Sequence, residues 1–338
     1  MAKQVQLLLL ALFLFPMVTL HAQDEEAPKV QQGWNTGAGI GLDFAQLLQI
    51  NPRQGAGQNR LGFGGALNVF GQYRKDRVAW DNRVNWQFGI QKLGSGPLPS
   101  GEDIPFQKSI DELRINSKLG YSTSTDSKFF YAVDFSLLTQ FTPTYQGTPE
   151  YPGNFLSDIT ENEIGTLLSR FFNPATINIS VGIDYQPTEQ LSLYYSPIGG
   201  KFITVPDDEI AALGVHGNPV TRDEDGNVIA FENTDSQLGS LLRVAYADNY
   251  LEDKITITSG LSLYSNYLNN PQNIDVDWNN ELAATLLKNL QAVVTINVFY
   301  DDDVLVQITD FDAPNGVSGL GKRVSLTQQL LLKYNVTF

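Results

Sequence analysis

The sequence predicts an all-β fold, a transmembrane antiparallel up-and-down β-barrel of about twelve strands, with fourteen as the alternative. Three observations predict it. Apolar and polar side chains alternate with a period of two from Trp34 to the end of the chain. The alternating stretches are about 12–15 residues long, whereas strands of water-soluble domains cluster near 5–6. The segments between them alternate strictly between tight turns and long loops, as in barrels with short periplasmic turns and longer outer loops.

In chain order, residues 1–22 have the layout of a secretory signal peptide: one lysine, an apolar run from Leu7 to Leu20, and cleavage after Ala22. Residues 23–33 read as a flexible periplasmic lead containing Asp24, Glu25 and Glu26, and 34–338 as the barrel with long acidic extracellular loops. Strands are expected over roughly 34–48, 61–74, 78–92, 110–121, 129–142, 175–186, 190–205, 238–249, 254–267, 273–287, 290–302 and 323–338. The third is the cleanest, with Val78, Trp80, Asn82, Val84, Trp86, Phe88 and Ile90 alternating with Ala79, Asp81, Arg83, Asn85, Gln87, Gly89 and Gln91.

Tight turns fall near Lys75-Asp76, Thr125 to Ser127, Pro187 to Glu189, Asp248 to Asp253 and Lys288-Asn289. Long loops fall at 49–60, 93–109, 143–174, 206–237 and 303–322, with a shorter one near 268–272. That alternation puts both termini in the periplasm. Aromatic residues gather at the predicted strand ends, with Trp34, Tyr73, Trp80, Tyr121 and Tyr131 at the periplasmic side and Phe44, Phe88, Phe141, Phe202 and Tyr267 at the outer side. Two such belts are expected where amphipathic rings sit at headgroup level. The terminal stretch RVSLTQQLLLKYNVTF resembles the last strand of outer-membrane barrels, in which a closing aromatic is read by the insertion machinery; Tyr334 and Phe338 are its candidates here.

Composition narrows the function classes. There is no Cys, which excludes disulfides, thiol catalysis and Cys-ligated metals. A net charge of −15 argues against nucleic acid, which needs clustered cations. Much of that charge lies in the 206–237 loop, where Asp207, Asp208, Glu209, Asp223, Glu224, Asp225, Glu232 and Asp235 face Arg222 alone. The expected partners are outer-membrane lipid, the insertion machinery during biogenesis and an envelope protein, and the expected location is the outer membrane of a Gram-negative bacterium.

By strand parity the interior receives Arg83, Glu112, Arg114, Lys118, Asp134, Asp184, Arg243 and Glu281, together with Asp275, Asp277 and Lys333. The signs are nearly balanced, so a ring of one sign, the device of a strongly ion-selective pore, is not expected. Opposite charges pairing across a narrow lumen would form an eyelet or a plug. In the 143–174 loop, Thr160 to Glu163 form a capping-box pattern, followed by Ile164, Leu167, Leu168 and Phe171 at helical spacing. The expectation is an amphipathic helix that gates or covers the mouth, or packs on neighbouring loops. No cofactor is expected. Structural Ca²⁺ is the exception considered, at Asp223 and Asp225 or at Asp301 and Asp303, although neither run carries the full ligand set of a calcium loop. Enzymatic activity is not expected: the one histidine beyond the signal segment, His216, lies in a glycine-flanked loop with no strand to hold it.

The segments TGAGIGLDFAQ, DELRINSKLGYS, FFYAVDFSLLTQFTPTY, VGIDYQPTEQLSLYYSPIGGKFITV, SNYLNNPQNIDVDWNNEL and VFYDDDV resemble a family of Bacteroidota outer-membrane barrels known only as a domain of unknown function. The resemblance runs from about Gly33 to Phe338. It implies an outer-membrane barrel and carries no catalytic residues. Two functions follow as expectations: a small-solute channel or transporter with a narrow or gated polar lumen, or a non-transporting structural or accessory subunit of an outer-membrane complex.

Overall fold

A computed structural model describes residues 32–50, 60–91, 106–124, 127–148, 153–160, 165–310, 312 and 317–337. Residues 1–31, which hold the expected signal peptide and most of the expected lead, lie outside them, as do Ile164 and Phe338.

Twelve long strands form the wall: β1 (Gly33–Ile50), β2 (Arg60–Lys75), β3 (Val78–Gln91), β4 (Gln107–Ser122), β5 (Phe129–Thr139), β6 (Ala175–Tyr185), β7 (Leu191–Thr204), β8 (Thr234–Tyr250), β9 (Ile255–Asn266), β10 (Asp275–Leu287), β11 (Leu290–Tyr300) and β12 (Ser325–Thr337). Each pairs antiparallel with its sequence neighbours, and β12 pairs with β1, so the sheet closes into a ring. The closing ladder runs from Gly39 opposite Thr337 to Ile50 opposite Leu326. Closure leaves the ring without a free sheet edge, which is what a strand wall needs to sit in hydrocarbon.

The period-two pattern sorts the two faces. Outward positions carry apolar side chains exposed on the wall, among them Leu42, Val69, Val133, Ile179, Val181, Ile183, Leu282 and Leu332. Near the short turns, Trp34 packs on Tyr73 at 5.2 Å and on Trp80 at 5.6 Å, and the Cα register places these three rings at one level on adjacent strands. Tyr121 and Tyr131 pair directly across β4 and β5. Tyr334, a terminal-signal candidate, is exposed opposite Leu42.

The long loops depart from expectation in two places. The 206–237 loop folds into a helix α1 (Asp208–Leu213) and a hairpin of Val220–Arg222 with Val228–Phe231. That hairpin is a separate two-stranded sheet, so it adds no strands to the ring and the count stays at twelve. In the 143–174 loop, Leu167–Ser169 is a strand rather than helix, paired with Thr144–Gln146, which in turn pairs with Asn154–Phe155 on the outer end of β4. Leu167 and Leu168 therefore alternate across a small sheet, and Phe171 stands in the turn after it, stacked edge-on against Phe141 at 5.7 Å. The helical spacing there lost to an available sheet edge at β4, where backbone partners were already in place.

Candidate functional site: the barrel interior and its outer mouth

The inward charges meet in pairs. Arg114 on β4 reaches Glu112 at 2.5 Å and Asp277 on β10 at 3.4 Å. Lys118 on β4 reaches Asp184 on β6 at 2.7 Å, and Asp184 also accepts hydrogen bonds from Ser192 and Gln186. Arg243 on β8 pairs with Asp134 on β5, and Lys333 on β12 with Glu281 on β10 at 3.1 Å. Arg74 pairs with Asp81 at 2.7 Å across β2 and β3. Seven of the eight sequence-chosen interior charges are thus in ion pairs, several of them bridging strands that are not neighbours.

The interior is filled on one side. Asp134, Asp184, Ser180 and Tyr194 are buried, and Tyr194 and Ser180 share a hydrogen bond of 2.9 Å. Water-filled space would leave such groups exposed. The opposite arc differs. Arg83, the eighth charge, is exposed on the inward face of β3 and makes no ion pair among the described residues. A side chain added at Gly39, on the inward face of β1, would meet nothing within 4 Å. The same is true at Gly260, on the inward face of β9, so open interior space is not confined to one arc.

At the long-loop mouth of the barrel stands a charge that parity places on the wrong face. Lys201 on β7 reaches Asp275 at 2.9 Å and Asp301 at 2.7 Å. Strict alternation from the inward Tyr194 would turn Lys201 to the lipid. A bulge between Ser196 and Gly199 inserts a residue and flips the remainder of the strand. Pro197 was the available signal, since a proline within a strand marks a bulge.

Around Lys201 gather Asp275, Asp301 and Asp302, whose carboxylate oxygens lie within 4.8 Å of one another. Asp302 accepts a hydrogen bond from Asn273 at 2.5 Å. Asp303, beside them, has its carboxyl raised by burial and by the repulsion of Asp301 and Asp302. Of the acids considered for calcium, Asp301 is in this cluster and Asp303 follows it in sequence. The other pair is not: Asp223 spends its oxygens on the amides of Asp225 and Asn227 in the hairpin turn, which hold its carboxyl below the usual range. Asp225 lies on the same exposed turn.

His216 is held, contrary to the expectation of a loose loop. Its Nε2 lies 2.6 Å from the Leu168 carbonyl, and burial pushes the imidazole below its ordinary value. The same contact joins the two longest loops, reinforced by Arg170 with Asp207 at 2.6 Å and by Asp207 N–H on Asn173 at 2.7 Å. Leu167 packs there against Val205, Ile210 and Ala211. Asp207 caps α1 and Gly214 ends it with a left-handed conformation, a capping pair that the acidic reading of this loop passed over. His216 has no nucleophile within this contact set.

A second feature escaped the interior-charge reading because it faces outward. Lys108 and Asp111, at the outer end of β4, form a buried pair at 2.8 Å. Asp111 also accepts from the amides of Phe141 and Thr142, from the Thr142 hydroxyl and from the Trp86 indole. This knot ties the end of β5 back over the wall.

A closed antiparallel ring of twelve strands with a lipid-compatible exterior and a polar, ion-paired interior defines the class of membrane β-barrels. A family model described as "Protein of unknown function (DUF3078)" matches residues 48–145, a narrower stretch than the resemblance in the sequence. No curated protein matches the chain. Among solved structures, the NanC porin is similar at 10% identity and a TM-score of 0.38, covering 87% of this chain and 98% of its own. An outer membrane channel from Pseudomonas putida F1 has 13% identity and a TM-score of 0.37, covering 92% and 100%. The outer membrane phospholipase A from Escherichia coli has 7% identity and a TM-score of 0.37, covering 92% and 94%. The strand pairing of the ring, not these likenesses, carries the fold.

Proposed function

We propose that the protein is an outer-membrane channel for small polar solutes, with a lumen narrowed by paired charges and both termini in the periplasm. The observation that carries this reading is a polar interior that is not filled throughout: open space lies at the inward Gly39 of β1 and Gly260 of β9, and Arg83 is exposed on the inward face of β3. A barrel of about twelve strands lies between the side-chain-filled eight-strand case and the open porins. The exposed aliphatic wall and aromatic level support an outer-membrane site, since strands cross membranes only as closed barrels. Single-channel recording in planar bilayers tests the reading, with small conductance steps expected and a shift towards cation preference on Arg83→Glu. A folded barrel that stays silent at every solute concentration sinks it.

A second reading, an accessory subunit that presents its loops to an envelope partner, is favoured by the contacts that join Leu167 to Asn173 with the 206–237 loop through His216, Arg170 and Asp207. It expects co-purification of an envelope protein that is lost when residues 215–232 are deleted. A solitary barrel with intact flux counts against it.

A further inference from the structure

Two neighbouring rungs of the barrel wall carry polar side chains that the protein itself does not use. The ladders place Gly37, Phe70, Arg83 and Asn116 side by side on β1 to β4. One inward rung nearer the long loops, they place Gly39, Asn68, Asn85 and Arg114 side by side. Neighbouring strands are about 4.8 Å apart and successive inward positions roughly 7 Å apart, so the two rungs cover a patch of roughly 14 by 7 Å. The glycines lower its β1 side. A Cβ at Gly39 would meet nothing within 4 Å, whereas one at Gly37 would fall 2.6 Å from the Phe70 ring, which therefore lies against the Gly37 backbone. The patch is a bay with a glycine floor, an aromatic ring and a polar margin.

The charges around the bay are committed to one another. Asp81, which precedes Arg83 on the inward face of β3, is held by Arg74 at 2.7 Å, and Lys118 is held by Asp184 at 2.7 Å. Arg114 holds both Glu112 and Asp277. Arg83 makes no ion pair or hydrogen bond among the described residues, and neither do the side chains of Asn68, Asn85 and Asn116. Inward amides elsewhere are engaged, Asn178 with Ser136 at 3.1 Å and Asn279 with Asp277 at 2.7 Å. Arg83 and Asn68 are exposed although they face the interior, so the bay is open to whatever occupies the lumen.

The chemistry of the bay selects the ligand. A guanidinium without a protein carboxylate is a planar fork that binds an anion through two N–H groups at once. A single cation, with Glu112 and Asp277 close by on Arg114, balances a carboxylate better than the near-double charge of a phosphate monoester. Each free carboxamide offers donors and an acceptor, which matches hydroxyl groups, themselves both donor and acceptor. Phe70 offers an apolar face to the C–H groups of the same molecule. An inorganic anion would use Arg83 and leave the amides and the ring without a role. We propose that the bay binds a small hydroxylated carboxylic acid, about the size of one sugar ring, with its carboxylate on Arg83 and its hydroxyls on Asn68, Asn85 and Asn116. The inference deepens the channel reading by naming a class of solute, and rests on it for the solute's passage.

Isothermal titration of the full-length barrel in detergent tests it, with D-glucuronate as the probe, D-glucose as its uncharged counterpart and acetate as the bare carboxylate. D-Glucuronate is expected to bind roughly tenfold more tightly than either, and Arg83→Gln to reduce its affinity by about the same factor. The Asn68→Ala, Asn85→Ala double variant is expected to bring D-glucuronate down towards acetate. No D-glucuronate binding, equal binding of glucose or acetate, or an affinity unchanged by Arg83→Gln or by the double variant overturns the proposal. The comparison of the three ligands on the unmodified chain decides the matter even if a variant does not fold. Binding without conductance would sink the channel reading and leave the bay standing; conductance without D-glucuronate binding does the reverse.

Discussion

Arg114 on β4 and Asp277 on β10 meet 3.4 Å apart from opposite walls of the barrel. Counting round the ring in either direction, β4 and β10 are six strands apart, so no pair of strands could be more widely separated. Two side chains therefore span the interior at this level, and Glu112 supports the bridge from the Arg114 side at 2.5 Å.

Removing the bridge is expected to widen the passage and change its sign. Arg114→Ala deletes the long side chain and leaves Glu112 and Asp277 without their guanidinium, so conductance rises and the reversal potential in a salt gradient moves towards cation preference. Asp277→Asn keeps the Arg114–Glu112 pair and is expected to change both less. Equal behaviour of the two variants would mean that the bridge does not lie on the conducting path.

The cap formed by the two long loops is expected to loosen on acidification. Burial lowers the folded pKa of His216 below its ordinary 6.5. An undocked loop then takes up a proton that the docked one does not, so this contribution to docking is full above about 6.5, declines below it, and is gone once the pH has fallen through the lowered folded value. Arg170 and Asp207 form an ion pair at the same junction. Asp158 and Asp223, whose carboxyls are held low by hydrogen bonds, act only in the more acidic range below 3.8. Limited proteolysis of the 143–174 loop should quicken a few-fold between neutral pH and pH of about 5, and His216→Asn should remove that dependence. A pH-independent cleavage rate in the unmodified protein would refute the assignment.

Asp111 is expected to be the anchor of the β5 end. Asp111→Ala strands Lys108 in a buried site and frees the Phe141 and Thr142 amides, at a cost of about 3 kcal/mol. The replacement of both partners by apolar residues, Lys108→Met with Asp111→Leu, should cost less than the single change because it leaves no lone buried charge. Urea unfolding of the three proteins, followed by gel mobility of folded and unfolded barrel, measures the order. A double variant as weak as Asp111→Ala would argue that the amide hydrogen bonds, not the charge pair, dominate.

The strands and their approximate boundaries were legible because each depends on short-range information. Val78 to Gln91 alternates residue by residue, and the Lys75-Asp76 turn ends one strand and starts the next. The interior set was legible for the same reason wherever the alternation ran unbroken, as at Arg114, Asp134 and Arg243. It failed at Lys201, where one bulge residue reverses every later side chain, and at Lys108 and Asp111, where a buried pair sits on the face expected to be apolar. The loops were the least legible: Leu167 and Leu168 carried a helical spacing, but a neighbouring strand edge supplied partners that no local pattern reveals.

By itself, then, the sequence determined that this chain makes an antiparallel barrel of about twelve strands with a polar interior, since period-two alternation, strand length and turn chemistry act between residues close in the chain; that the 220–231 hairpin stays out of the ring was decided by the structure. Which charges meet was decided by tertiary structure alone. Arg114 and Asp277 are 163 residues apart, and only the closure of β12 on β1 brings their walls face to face. The same holds for Asp235 and Asp303, which share a cavity because two loops from distant turns of the ring happen to fold over one mouth.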